Sequence, residues 1–237
     1  MAELGQMPTI LRLDLAVVGL PESHPAAQVD GELPVYGYCI AHPDGPILVD
    51  TGVGFGNDII DELYHPQREI LGELLDRSGV DPGAVVAVVN SHLHFDHCGQ
   101  NPSLFNSPTV FLAQAAEYET VAGDAFYTDA SWALAPEHQR RIVNGDEPLA
   151  EGVTILATPG HTAGHQSVLI EAEGRRVVIG GQMVWRTEEL VGEVASVENV
   201  DPDPALQEAA VDSIRRIKAL NPEIVHLSHC AAFQPHR

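Results

Sequence analysis

From Ser91 to Gly99 the chain reads Ser-His-Leu-His-Phe-Asp-His-Cys-Gly, which packs three imidazoles and one carboxylate into the six residues from His92 to His97. The stretch follows directly on the apolar run Val85–Val86–Ala87–Val88–Val89, which reads as a buried strand. Four ligand-type side chains at the mouth of a strand make a poor core, and their density sets them apart from an ordinary exposed loop. Imidazole and carboxylate together suit zinc, and also iron or manganese. In an extended segment His92 and His94 point the same way, because side chains alternate with period two. Asp96 and His97, past the strand end, then face a second position close by. A chain built this way is organised around a metal site.

The pattern His92-x-His94-x-Asp96-His97 resembles the signature of the metallo-β-lactamase fold superfamily. The longer string Ser-His-Leu-His-Phe-Asp-His-Cys-Gly-Gln-Asn is similar to its lactonase branch, whose members hydrolyse N-acyl homoserine lactones and related lactones. The resemblance implies a mixed α/β fold, the four-layer αββα sandwich; pattern alone yields only mixed α and β. Further along, Gly160-His161-Thr162-x-Gly164 matches the second histidine motif of that superfamily, and Ser228–His229 its last. Carried over position by position, His92, His94 and His161 form one metal site, and Asp96, His97 and His229 the other. The cofactor implied is zinc, one or two ions, with iron or manganese as alternatives.

His165 lies in the second motif but reads as structural. His226 and His229, three apart, face opposite sides of an extended segment, so only one reaches the metals, and His229 is the better match. His24, His42, His65, His138 and His236 read as surface histidines. Asp50, in Asp50–Thr51–Gly52 after a short strand, either orients a ligand from behind or caps a turn.

Two positions depart from the resemblance. The carboxylate that normally bridges the two metals falls in Gly180–Gly181–Gln182, where the chain carries a neutral amide. The second site is therefore expected to be looser, differently loaded, or filled only with substrate. In the lactonases a tyrosine three residues beyond that aspartate contacts the substrate carbonyl; here the place is Trp185, bulkier and limited to one hydrogen-bond donor.

The 237 residues fit one domain spanning 1–237 with a sizeable core. A net charge of −22 and no basic cluster exclude nucleic acid as a partner, and with it the nuclease branch. No run of about 18 apolar residues offers a membrane span, and Arg12 and Asp14 interrupt the only apolar stretch near the start, so no signal peptide is read. Cys39, Cys98 and Cys230 are too few and too scattered for a disulfide framework. Cys98 and Cys230 each follow a proposed ligand, yet read as small buried residues. The chain is expected in the cytoplasm, with pairing into a homodimer left open.

In chain order, Thr9–Val18 alternates as a strand. Leu20–Pro34 is a loop that in this fold can lie over the site. Val35–Ala41 and Ile47–Val49 form a hairpin. Asn57–Ser78 carries helical spacing split by Pro66 and closed by Gly79. Thr109–Ala113 is a strand and Gln114–Val121 a short helix. Ala122–Gly145 has no clear pattern; its Phe126, Tyr127 and Trp132 either wall an acyl pocket or pack on their own domain. Strands follow at Gly152–Thr158, Val168–Glu171 and Arg176–Gly180. Asp203 caps a helix with Pro204 in its first turn, Pro222 stops it, and Ile224–Leu227 is the last strand.

The implied reaction is hydrolysis of a lactone or simple ester. A water whose pKa the metal lowers from 15.7 toward ~7 attacks the carbonyl, and the metal stabilises the tetrahedral anion. Asp96 orients this nucleophile and passes a proton to the leaving alkoxide. No Gly-x-Ser-x-Gly elbow is present to supply a serine instead. Thioester or β-lactam hydrolysis uses the same ligands, but the basic residues that grip glutathione are not evident. A redox di-iron relative would carry glutamate in place of one motif histidine, and His94 argues against it. A member that binds metal or ligand without turnover is the alternative Gln182 raises.

Overall fold

The computed structural model describes residues 4–22, 24, 27, 31–124, 127–195 and 203–235. Phe126, Asp201, His236 and part of the Leu20–Pro34 loop lie outside them. Twelve strands are described: β1 (Ile10–Gly19), β2 (Glu32–Ile40), β3 (Ile47–Val49), β4 (Gln67–Arg68), β5 (Ala87–Val89), β6 (Val110–Gln114), β7 (Arg140–Val143), β8 (Glu147–Ala150), β9 (Val153–Ala157), β10 (Gln166–Ala172), β11 (Arg175–Gly181) and β12 (Ile224–Leu227). The helices are α1 (Asp58–Tyr64), α2 (Leu71–Arg77), α3 (Phe95–Cys98), α4 (Ala115–Gly123), α5 (Ala130–Ala133), α6 (Thr187–Gly192) and α7 (Pro204–Ala219).

The strands form two sheets, one ordered β4-β1-β2-β3-β5-β6-β7 and the other β12-β11-β10-β9-β8. Alternation along each strand sorts the apolar side chains into layers. In β2, Tyr38 and Ile40 face the second sheet while Val35 and Cys39 face outward under helices. β10 does the same from the other side, with Val168 and Ile170 turned inward and Leu169 outward. The inter-sheet core thus joins Ile40, Val49, Val89 and Leu112 to Val153, Ile155, Ile170 and Ile179. Outside the first sheet pack Ile60 of α1, Leu71 and Leu75 of α2, and Trp132 of α5. Outside the second pack Leu190 of α6 and Ile214 and Ile217 of α7. The result is the expected four-layer αββα sandwich.

Local chemistry explains the element ends. The Asn57 side chain accepts from the Ile60 amide and starts α1, and the chain leaves it through His65 in the left-handed region. Pro66 then keeps the expected two helices apart, with β4 paired to β1 between them. Asp203 caps α7 by accepting from the Ala205 amide, with Pro204 in the first turn, as expected. Two edge strands were not anticipated, β7 within the unpatterned stretch and β8 just after it. Both expose charge, Arg141 of one pairing with Glu147 of the other, and β8 contains Pro148, which an edge strand tolerates.

Strand direction decides where the site forms. β3, β5, β6 and β7 run parallel, as do β11 and β12. The segments that follow β3, β5, β9, β11 and β12 carry Asp50, the His92–His97 motif, His161, Gln182 and His229. Carboxyl ends of parallel strands are where open α/β sheets build their sites.

Candidate metal centre

Two groups of three ligand-type side chains converge among the described residues: His92, His94 and His161, and Asp96, His97 and His229. Within each, one ligand atom per residue lies within 4.8 Å of the others. In the first group Nε2 of His92 is 2.9 Å from Nδ1 of His94, and Nε2 of His161 is 3.0 Å from that same Nδ1. Burial drives the His94 imidazole down to about 4, and those of His92 and His161 well below the usual histidine value, with the crowded neighbouring rings adding to it. All three are therefore neutral at neutral pH, the form in which imidazole offers a lone pair.

The sequence expectation for how His92 and His94 meet needs correction. β5 ends at Val89, so the two rings are brought together by the loop that follows rather than by alternation along a strand. Its shape is held from beneath. Asp50, itself at φ 64, accepts from the Ser91 amide at 2.7 Å, from the Ser91 hydroxyl at 2.8 Å, and from Nδ1 of His97 at 2.8 Å. The Ser91 hydroxyl, its hydrogen spent on Asp50, sits 3.1 Å from Nδ1 of His92 and accepts from it. With its hydrogen on Nδ1, neutral His92 turns a bare Nε2 into the first group.

The second group follows the same logic. Asp96 and His97 sit on the single turn of α3, and Oδ2 of Asp96 is 3.5 Å from Nε2 of both His97 and His229. Nδ1 of His229 lies 2.8 Å from the Pro34 carbonyl, which fixes that ring. Burial opposes charge on Asp96, but the facing His97 and His229 outweigh it and hold the carboxyl below its usual value. Burial likewise works against a charged His97, while Asp96 and Asp50 overcome it and hold the ring at about 9. His229, with less carboxylate support, is lowered by burial to about 4. The first group, three neutral imidazoles, fits a divalent ion as it stands, whereas in the second His97 has to give up a proton to become a ligand.

Sequence reasoning missed Glu117 and Ser91. Glu117, buried in the first turn of α4, accepts from the Leu93 amide at 2.7 Å, the Tyr127 hydroxyl at 2.7 Å, the Thr162 hydroxyl at 2.6 Å and the Gly164 amide at 3.1 Å. One carboxylate thus ties the loop of His92 and His94 to that of His161. A glutamate in a first helical turn looks like a solvated one, and nothing in the sequence marks it. Ser91 stood in the motif without a role.

Other expectations divide. His165 is structural as expected: fully buried, its Nδ1 3.0 Å from the Thr158 carbonyl, and held by burial at about 3. His226 turns away toward Tyr38, ring centroids 5.0 Å apart. His65 and His138 are exposed as expected. His42, however, is buried with Nε2 3.1 Å from the Glu151 carbonyl. His24 is half-buried, stacked at 5.5 Å on the Trp185 indole. A polar ring that finds a carbonyl or an aromatic face need not stay in water, which is why the surface reading fails for both. Trp185 in turn lies 5.4 Å from the ring of His229. Cys98 is fully buried with Cys39, and Cys230 is partly buried. Tyr127 lies 4.5 Å from the His94 ring and lines a cavity of about 670 Å³ with Phe95, Tyr64, Ile59 and Leu63. Trp132 packs into the core instead.

Comparison with known proteins agrees with this geometry. Residues 30–229 match the Metallo-beta-lactamase superfamily. An N-acyl homoserine lactonase of Bacillus sp. is 34% identical over 200 residues, covering 79% of this chain and 76% of its own. One from Bacillus thuringiensis is 32% identical over 198 residues, covering 78% and 76%. Among solved structures, an N-acyl homoserine lactone hydrolase with the product N-hexanoyl-L-homoserine at its catalytic metal centre superposes with a TM-score of 0.75 at 28% identity, covering 94% of both chains. A quorum-quenching N-acyl homoserine lactone lactonase gives 0.75 at 28%, covering 95% of this chain and 94% of that one.

Proposed function

This chain belongs to the metallo-beta-lactamase superfamily, and on that footing we propose that it opens the ester ring of N-acyl homoserine lactones, a quorum-quenching hydrolase. The observation that carries this is the pair of three-residue ligand groups, one buried and one partly buried, with the His92 and His97 rings 4.0 Å apart between them, in a chain whose lactonase relatives match over more than three-quarters of its length. Zinc is the first candidate for the ion, with iron or manganese next. When bound, a divalent ion supplies Lewis acidity, lowering the pKa of water toward ~7 and polarising the lactone carbonyl.

The remaining work falls to the chain. His92, His94 and His161 would hold the ion. Asp96, kept ionised by His97 and His229, would take the proton of the attacking water and return it to the leaving alkoxide. Asp50 keeps the His97 ring in register. Trp185 brings a single N–H donor to the place where lactonases carry a tyrosine, and its bulk beside His229 narrows that side of the site.

The cavity beside Tyr127 and Phe95, about 670 Å³ and largely apolar, has the size for an acyl tail. A chain of net charge −22 favours an uncharged substrate and repels the carboxylate that ring opening creates. Three unpaired cysteines support a reducing compartment, the cytoplasm, and among the described residues no helix is long and apolar enough to cross a membrane.

The test is a substrate panel of N-acyl homoserine lactones, aryl esters, thioesters and a chromogenic cephalosporin, run with metal content measured in parallel. Ring opening of the homoserine lactones ahead of the other classes is the expected result. Full metal content with no activity on any of them favours a binding protein. Preference for a thioester or the cephalosporin moves the chain to another branch of the superfamily.

A further inference from the structure

Gln182 occupies the second ligand group itself. Its Oε1 is 3.0 Å from Nε2 of His97 and 3.0 Å from Nε2 of His229. Both rings are fixed from behind by acceptors, the Asp50 carboxylate for His97 and the Pro34 carbonyl for His229. Each Nδ1 therefore carries the hydrogen, so a neutral ring turns the Nε2 lone pair toward the amide, while His97 in its protonated form turns an N–H toward it. An aspartate here could only add a further acceptor beside Asp96. An amide has a second face: a half-turn about its last torsion puts the NH2 group where the oxygen was, with two N–H bonds for two lone pairs. Gln182 can thus satisfy His97 and His229 with no cation between them.

The charge balance points the same way. Two dications held about 3.5–4 Å apart repel strongly unless carboxylates lie between or beside them. Asp96 is the one carboxylate in the two ligand groups, and Gln182 adds no charge. The first group, three neutral imidazoles held by the Ser91 and Glu117 networks, does not depend on this balance.

We infer that Gln182 makes this a one-ion centre: its amide closes the second position between His97 and His229, and the retained ion belongs to His92, His94 and His161. The inference rests on the reading of those three histidines as ligands but not on the lactone chemistry.

The experiment loads wild-type protein, Gln182→Asp and Gln182→Glu with zinc, dialyses all three identically against metal-free buffer, and counts ions by elemental analysis. Histidine ring 15N shifts are recorded before and after loading. Wild type is expected to retain about one ion per chain, with ring shifts at His92, His94 and His161, and Gln182→Asp about two, with His97 and His229 shifting as well. Two ions retained by wild type, none retained, or shifts at His97 and His229 in wild type would each overturn the inference. So would a folded Gln182→Asp protein that still holds one. The wild-type count decides the matter even where neither variant folds. A count of one without lactone turnover leaves this inference standing and removes the proposed activity, while a count of two with turnover does the reverse.

Discussion

Asp50 and His97, 47 positions apart in sequence, meet through a 2.8 Å contact between Oδ2 and Nδ1 with both side chains buried. The same carboxylate holds the Ser91 amide and hydroxyl, and Ser91 meets His92. One acid thus sets ring orientation in both ligand groups. Asp50→Asn tests this cleanly, because asparagine tolerates the positive φ found there while losing the charge. The variant should fold with an unchanged circular dichroism spectrum and bind metal about 10- to 100-fold more weakly in chelator competition. Unaltered affinity would reduce Asp50 to a turn former.

Glu117→Gln should be costly despite its small change in shape. Two of the four donors now served by the carboxylate would meet an amide NH2 instead. A loss of about 3 kcal/mol in urea unfolding is expected, together with weaker metal binding, since the loops of His94 and His161 share this anchor. A stability within experimental error of wild type would mean that the carboxylate is dispensable.

Gly181 has φ +59, and a Cβ there would lie 2.6 Å from Cβ of Ser91 and 3.0 Å from Nε2 of His165. Gly181→Ala must therefore strain the backbone and displace Ser91. The expected loss is about 2 kcal/mol in denaturant unfolding, with reduced metal retention as the second readout.

Metal-stripped protein should lose stability in mild acid. His165 is held by burial at about 3, below the 6.5 of a free histidine, so the unfolded chain takes up a proton that the folded chain refuses. A depressed histidine pKa makes stability fall as pH drops through 6.5 and keep falling toward 3, by on the order of 1.4 kcal/mol per pH unit for this ring. Urea midpoints at pH 7.5, 6 and 5 measure it. His165→Asn, which keeps a donor toward the Thr158 carbonyl, should flatten the slope; an identical slope would assign the effect to other groups.

The fold and much of the centre were legible in the chain, for reasons that differ by residue. The metal motif is local, so His92, His94, Asp96 and His97 announce themselves by density. His161 and His229 lie far along the chain, and only resemblance to a family joined them to the motif. Two-sided burial made β5, β6 and β10 readable as apolar runs, whereas β7 and β8 are edge strands whose charged residues resemble a loop. Glu117 and Ser91 stayed hidden because their partners are backbone amides and distant hydroxyls. The depth at which His42 and His24 sit depends on a carbonyl and an indole contributed from elsewhere in the chain.

The central claim is that His92, His94 and His161 hold a divalent ion at which a lactone is opened. Its most direct test strips the protein with chelator and titrates zinc back. Bound metal and ring opening of N-hexanoyl homoserine lactone are followed together, with His94→Ala alongside. The account predicts no turnover before zinc, a rate that rises with bound metal, and neither binding nor turnover in the variant. Undiminished turnover in stripped protein, or wild-type turnover in His94→Ala, would contradict it.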